Sequence, residues 1–179
     1  MANLCEFELH ARVKIADEKV LLEMKRKFGL ESGYTNTGVI KDGFSVFDTY
    51  LDEYGLTNGY YFLHISGDCK WSVFSSFYKE LKKWASDYKI DIEIYSEEPG
   101  FCFQEYFKWV GGKLVDYVCK DMIEFHVDDI MDAEDGECDY LFDHKLCVEA
   151  NCTKDNYQSF ADEDGYVKLG GFPEENFEF

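Results

Sequence analysis

Hydrophobic positions recur along the chain with two periods, and the change from one to the other marks out its elements. Between Trp71 and Tyr88, Val73, Phe74, Phe77, Leu81, Trp84, Ala85 and Tyr88 fall at i, i+3/i+4, i+7 spacing, while Lys79, Glu80, Lys82 and Lys83 lie opposite. That spacing predicts an amphipathic helix, and Ser72 stands where a hydroxyl can cap its first N–H groups. The period then drops to two. Ile90, Ile92 and Ile94 alternate with Asp91 and Glu93, predicting a half-buried strand. Glu97-Glu98-Pro99-Gly100 reads as a turn, and Phe101–Val110 is expected to pair with Leu114–Cys119 as a hairpin across Gly111-Gly112.

The same reading extends to the N-terminal part. Leu4, Phe7, Leu9, Ala11 and Val13 interleave with Glu6, Glu8, His10 and Arg12, predicting a first strand. Asp17 is placed to cap a helix whose inner face carries Val20, Leu21, Met24 and Phe28; Lys25, Arg26 and Lys27 sit at its end before Gly29. Residues 30–60 are rich in Gly, Asn, Thr and Tyr and read as an insertion with a short strand at Phe44–Phe47 or a helical turn at Thr49–Tyr54. Tyr60–Ser66 is a further strand. The order β, α, insertion, β, α, β, β, β predicts an α+β fold, with a ferredoxin-like βαββαβ core and an extra hairpin strand over residues 1–120. Residues 121–179 form an acidic C-terminal extension packed on that core, because free acidic tails seldom carry so many aromatics.

Charge sharpens this division. The 179 residues carry a formal charge of −19, with 46% hydrophobic and 18% aromatic residues. Residues 1–120 hold 19 acidic and 15 basic side chains, whereas residues 121–179 hold 18 acidic and 3 basic. A net of −15 in the last third disfavours direct binding to nucleic acid, which needs Lys and Arg, and to anionic membranes. It favours basic partners, met with a salt-sensitive on-rate. No stretch approaches the roughly 18 apolar residues of a membrane span. The start, MANLCEFELH, lacks a signal-peptide pattern, and the seven Cys are an odd number without scaffold spacing. A cytoplasmic protein with reduced thiols is the expectation.

Candidate chemistry is sparse. Cys138, His144, Cys147 and Cys152 offer four zinc ligands, but C-x5-H-x2-C-x4-C matches no familiar finger and small buried apolar roles suit these residues better. DAEDGECDY (132–140) has the acidity of a calcium loop without its twelve-residue ligand rhythm. Cys5, Cys69, Cys102 and Cys119, like His10, His64 and His126, fall in or beside strands, and no spacing selects a nucleophile and base. Phe101, Phe103, Tyr106, Phe107 and Trp109 on one strand are read as core rather than as a base-stacking surface, Lys108 being nearly their only basic neighbour. Neither a metal nor a cofactor nor catalysis is expected.

The opening MANLCEFEL, the Trp71 that leads the second helix, and the hairpin EEPGFCFQEYFKWVGGKLVD together resemble the YubB-type ferredoxin-like domain family over residues 1–120. In that family a first strand begins Met-x-Asn-x-Cys, and a Trp-led helix precedes a strand and an aromatic, Gly-containing hairpin. An Ala-Trp-Ser-Pro-Pro phrase expected at the second helix is here reduced to Lys70-Trp71-Ser72. The resemblance implies a ferredoxin-like fold and a setting in phages, plasmids and other mobile elements; it brings no catalytic residues. Two readings of the acidic set then stand side by side. It is a solubilising face on a regulatory module that binds partners through an aromatic patch. Alternatively it is a mimic of nucleic-acid phosphates, of the anti-CRISPR type, that enters the basic channel of a host enzyme such as a CRISPR effector nuclease. The residues expected to contact that partner are Asp128, Asp129, Asp132, Glu134, Asp135, Glu137, Asp139 and Asp143, with Asp162, Glu163 and Asp164 as a second run.

Overall fold

Alternation builds the first strand, β1 (Leu4–Lys14): Cys5, Phe7, Leu9, Ala11 and Val13 are buried, while the even-numbered side chains between them reach solvent. The structure, a computed structural model, describes residues 4–28, 44–52, 59–98, 100, 102–131 and 139–172. These form two units of an α+β protein, the first built from residues up to 98 and 105–119, the second from 99–104 and 120–172.

In the first unit, β1 is followed by α1 (Glu18–Phe28), β2 (Phe44–Asp52), β3 (Tyr60–Lys70), α2 (Val73–Ser76), α3 (Tyr78–Tyr88) and β4 (Asp91–Glu98). Then come β5 (Phe103–Val110) and β6 (Lys113–His126), which run on between the units. The strand order is β2-β3-β1-β4-β5-β6. β1 lies antiparallel to both β3 and β4, and β2 antiparallel to β3. The expected strand at Phe44–Phe47 is thus a longer one reaching Asp52, and a strand replaces the helical turn over residues 49–52. Residues 53–54 of that turn lie outside the described residues.

Helical faces close the core over the odd-numbered side of β1. Val20, Leu21 and Met24 from α1 and Leu81, Trp84 and Ala85 from α3 are all buried, as are Val73 and Phe77, whose ring meets Phe7 edge-on at 5.0 Å. The predicted single helix from Trp71 is broken at Phe77, where φ −144° and ψ 14° leave the helical region. Ser72 caps α2 by accepting the Ser75 N–H at 3.1 Å. The Ser75 and Ser76 hydroxyls donate back to backbone carbonyls, Ser76 to Lys70 at 2.7 Å, and so compete with helix propagation. Phe74, expected on the inner face, is 58% exposed, its ring lying 5.0 Å from that of Tyr78.

β4 also departs from the alternating pattern. Ile92 and Ile94 are buried as predicted, but so are Asp91 and Glu93 on the opposite side. The charges are tolerated because each has a cation: Arg12 donates to Asp91 at 2.6 Å, and Lys108 reaches Glu93 at 2.7 Å. The predicted hairpin is present, and a two-residue turn obliges β5 and β6 to run antiparallel. Gly111 (φ 56°) and Gly112 (φ 83°) form that turn, in the left-handed conformations that favour glycine. Phe107 and Trp109 are buried aromatic core, as expected from the sequence.

The second unit has its own core. Met122–His126 of β6 pair antiparallel with β7 (Tyr166–Gly170), so the segment read as a separate strand continues β6. Around them lie α4 (Val127–Met131), α5 (Asp139–Phe142), α6 (Lys145–Glu149) and a 3-10 turn at Tyr157–Phe160. Ile123, Phe125, Cys147, Cys152, Tyr157, Val167 and Leu169 make a buried cluster, with Ile130, Leu141 and Phe142 packed against it. The acidic stretch is anchored by these three residues, whereas Met131 and Tyr140 are exposed.

Candidate functional site

The even-numbered face of β1 carries a polar array assembled from three strands. Strand register puts His10 directly opposite His64 and Glu8 opposite Ser66, while Glu8 and His10, two residues apart, share a face. His10 Nε2 lies 3.2 Å from Glu8 Oε1, and His64 Nε2 lies 2.9 Å from the same oxygen. The imidazole centroids are 4.5 Å apart with planes at 54°, and Ser66 Oγ is 3.3 Å from His64 Nε2. All of these side chains are partly open to solvent. Among the described residues, Glu8, His10 and His64 are the group whose ligand atoms are close enough together to hold a metal ion.

The surroundings of this cluster are anionic. Beside Glu8 and Ser66 opens a cavity of about 250 Å³ whose lining includes Glu6, Tyr95 and Glu97. Tyr95 donates its hydroxyl to Glu97, and Glu6 faces Asp68 across the strands. Burial, reinforced by the Glu6 charge, holds the Asp68 carboxyl above its ordinary pKa. Arg12 and Lys108 on the same face are engaged with Asp91 and Glu93, and Tyr106 donates to Glu93 at 2.8 Å. With its carboxylates so placed, this sheet face is ill suited to nucleic-acid phosphates.

The residues singled out from the sequence have different fates. Asp128, Asp129, Asp139, Asp143, Asp162, Glu163 and Asp164 are all exposed on the second unit. Asp132, Glu134, Asp135, Glu137 and Cys138, with most of the calcium-like stretch, lie outside the described residues. Asp162 has a structural task, accepting the N–H groups of Asp164 and Tyr166 at 3.0 and 2.8 Å and so shaping the turn into β7. Asp139 pairs with Lys154, and His126 donates to the Asp164 carbonyl at 3.1 Å.

The zinc set read from the sequence is not assembled among the described residues. His144 spends Nδ1 on the Leu146 N–H at the start of α6, and Cys147 and Cys152 are buried in the apolar cluster. Burial, with a smaller contribution from Cys152, pushes the Cys147 thiol up to about 11, which keeps it protonated and unreactive near neutral pH. Cys5 and Cys69 face one another directly across β1 and β3, both fully buried, and Cys69 is held protonated by its bond with Cys5 and by desolvation. These thiols are packing groups, whereas Cys119 is exposed.

What sequence reading missed is the Glu8–His10–His64 group. Glu8-x-His10 on a strand was a visible signal for two polar side chains on one face; the partner strand and its register were not visible. No protein-family model, curated protein or solved structure matches the chain. No described helix is long and apolar enough to cross a membrane.

Proposed function

We propose that this chain is a non-enzymatic inhibitor that binds a basic, nucleic-acid-handling enzyme through the acidic surface of its second unit. The carrying observation is that seven candidate carboxylates of this unit are each exposed, within a sequence region of 18 acidic and 3 basic residues. Met131, Tyr140 and Tyr166, within two residues of these carboxylates in sequence, are also exposed and would supply apolar anchors. Carboxylates so arranged compete with phosphates for the Lys and Arg of a cationic groove. The phage and plasmid setting that the family resemblance implies supports a CRISPR effector nuclease as the target class. We also infer a ferredoxin-like core for β1–β4; the order β2-β3-β1-β4, antiparallel throughout, supports it.

The test is capture of partners from a host lysate at low and high salt, using wild type and a variant with Asp128, Asp129, Asp143 and Glu163, all exposed, reversed to Lys. The expected result is a basic nuclease released by salt and by its own nucleic acid, with affinity at least about tenfold weaker in the variant. Capture unchanged by the reversal sinks the electrostatic reading.

A second reading rests on β6, where Val115 and Tyr117, two residues apart on one face of the strand, are 56% and 50% exposed. This makes an apolar surface for a protein partner, with acidity serving solubility. Binding that ignores salt and fails in Tyr117→Ser would select it.

A further inference from the structure

We propose that Glu8, His10 and His64 form a binding site for a divalent transition metal of the zinc type, independent of the acidic surface of the second unit. The site follows from strand geometry. Two histidines on directly paired positions of neighbouring strands bring their rings side by side, and the carboxylate two residues along β1 lies on the same face. Both Nε2 atoms converge on one oxygen, Glu8 Oε1, at 3.2 and 2.9 Å, and all three ligand atoms lie within 4.8 Å of one another. In a tetrahedral zinc centre, bonds of about 2.0–2.1 Å put neighbouring ligand atoms about 3.3 Å apart. Two edges of such a face are therefore already near this length and the third lies within 4.8 Å, so side-chain rotation can aim all three ligand atoms at one ion.

The chemistry of the set decides the metal. Two imidazoles and one carboxylate suit Zn²⁺, Co²⁺, Ni²⁺ or Fe²⁺, whereas Mg²⁺ and Ca²⁺ favour sites built from oxygen. The side chains are accessible, at 24% for His10, 34% for His64 and 40% for Glu8, so an ion can enter from solvent. Glu6 and Glu97, which line the cavity next to Glu8, add a negative potential that favours a cation. Three protein ligands leave at least one position for water, on a face where Ser66 Oγ, 3.3 Å from His64 Nε2, is close enough to bond that water. Ordinary histidine–carboxylate pairing accounts for two close contacts equally well, and metal titration separates the two cases.

The experiment is titration of the 179-residue, chelator-stripped and thiol-reduced protein with ZnCl₂ and CoCl₂, MgCl₂ serving as control. Binding is read by calorimetry, by the Co²⁺ absorption spectrum and by thermal unfolding. One equivalent of Zn²⁺ or Co²⁺ is expected, with d–d bands of a nitrogen–oxygen set and no thiolate charge-transfer band. His10→Gln, His64→Gln and Glu8→Gln should each weaken binding by at least about tenfold, since even groups that only support a ligand cost 10–100-fold. Cys119→Ser should leave it unchanged. Circular dichroism and metal-free melting identify any variant that has lost its fold, and the remaining variants then carry the test. Absence of binding by the wild type overturns the proposal. So does a thiolate-type cobalt spectrum, or an affinity that folded His10→Gln and His64→Gln proteins retain.

Discussion

Glu105 shows how one buried carboxylate couples this fold to pH. It is 5% exposed; its Oε2 accepts from Ser96 Oγ at 3.3 Å and from the Phe74 N–H at 3.5 Å. Desolvation outweighs those bonds and raises its pKa. Since the folded protein holds the proton more tightly than the unfolded chain, the resulting stabilisation is complete below the unfolded pKa. It is lost as pH rises through the folded value. Glu105→Gln, which keeps an oxygen acceptor and removes the charge, should therefore be more stable than wild type at pH 7. The difference should close near pH 4. Paired denaturant titrations at the two pH values measure this, and a Gln variant less stable at pH 7 would show that the bonds to Ser96 and Phe74 require the anion.

At the scale of elements, the β5–β6 hairpin turns on two glycines with unequal demands. A Cβ on Gly112 would come within 2.5 Å of the Ala85 carbonyl oxygen of α3, whereas one on Gly111 would meet nothing within 4 Å. Both positions have positive φ, which alone costs a side chain about 1–2 kcal/mol. Gly111→Ala should lose about that much stability, and Gly112→Ala distinctly more, because a backbone atom must move to admit the methyl. Equal losses in urea unfolding would mean that the hairpin and α3 separate at little cost. The hairpin itself was legible in the sequence, since Gly-Gly between two apolar runs has few other uses. The helix break at Phe77 was not. Periodicity reports which face is apolar, but it is blind to the Ser75 and Ser76 hydroxyls that bond back to the chain. Burial of Asp91 and Glu93 escaped for a related reason: their cations come from other strands, β1 and β5, whose pairing partners periodicity does not specify.

Across the whole molecule, charge asymmetry was legible from composition, whereas the Glu8–His10–His64 group was not, because nothing local specifies that β1 pairs with β3 in the register opposing the two histidines. The asymmetry itself has opposite consequences for folding and for binding. With 37 acidic and 18 basic side chains, folding concentrates like charge that the unfolded chain can spread out. Ion pairs act the other way, but those between Arg12 and Asp91 and between Lys108 and Glu93 are sheltered and little screened by salt. Exposed pairs such as Lys145–Glu149 contribute little at any ionic strength. Repulsion should therefore dominate, and raising NaCl from about 20 mM to about 500 mM, which shortens the Debye length from about 20 Å to about 4 Å, should raise the Tm by a few degrees. The same salt should weaken capture of a basic partner. A fold strengthened and a complex weakened by one titration ties both effects to the net charge; a Tm that falls with salt would mean that attractive pairs outweigh the repulsion and that the surface charges are less crowded than their number implies.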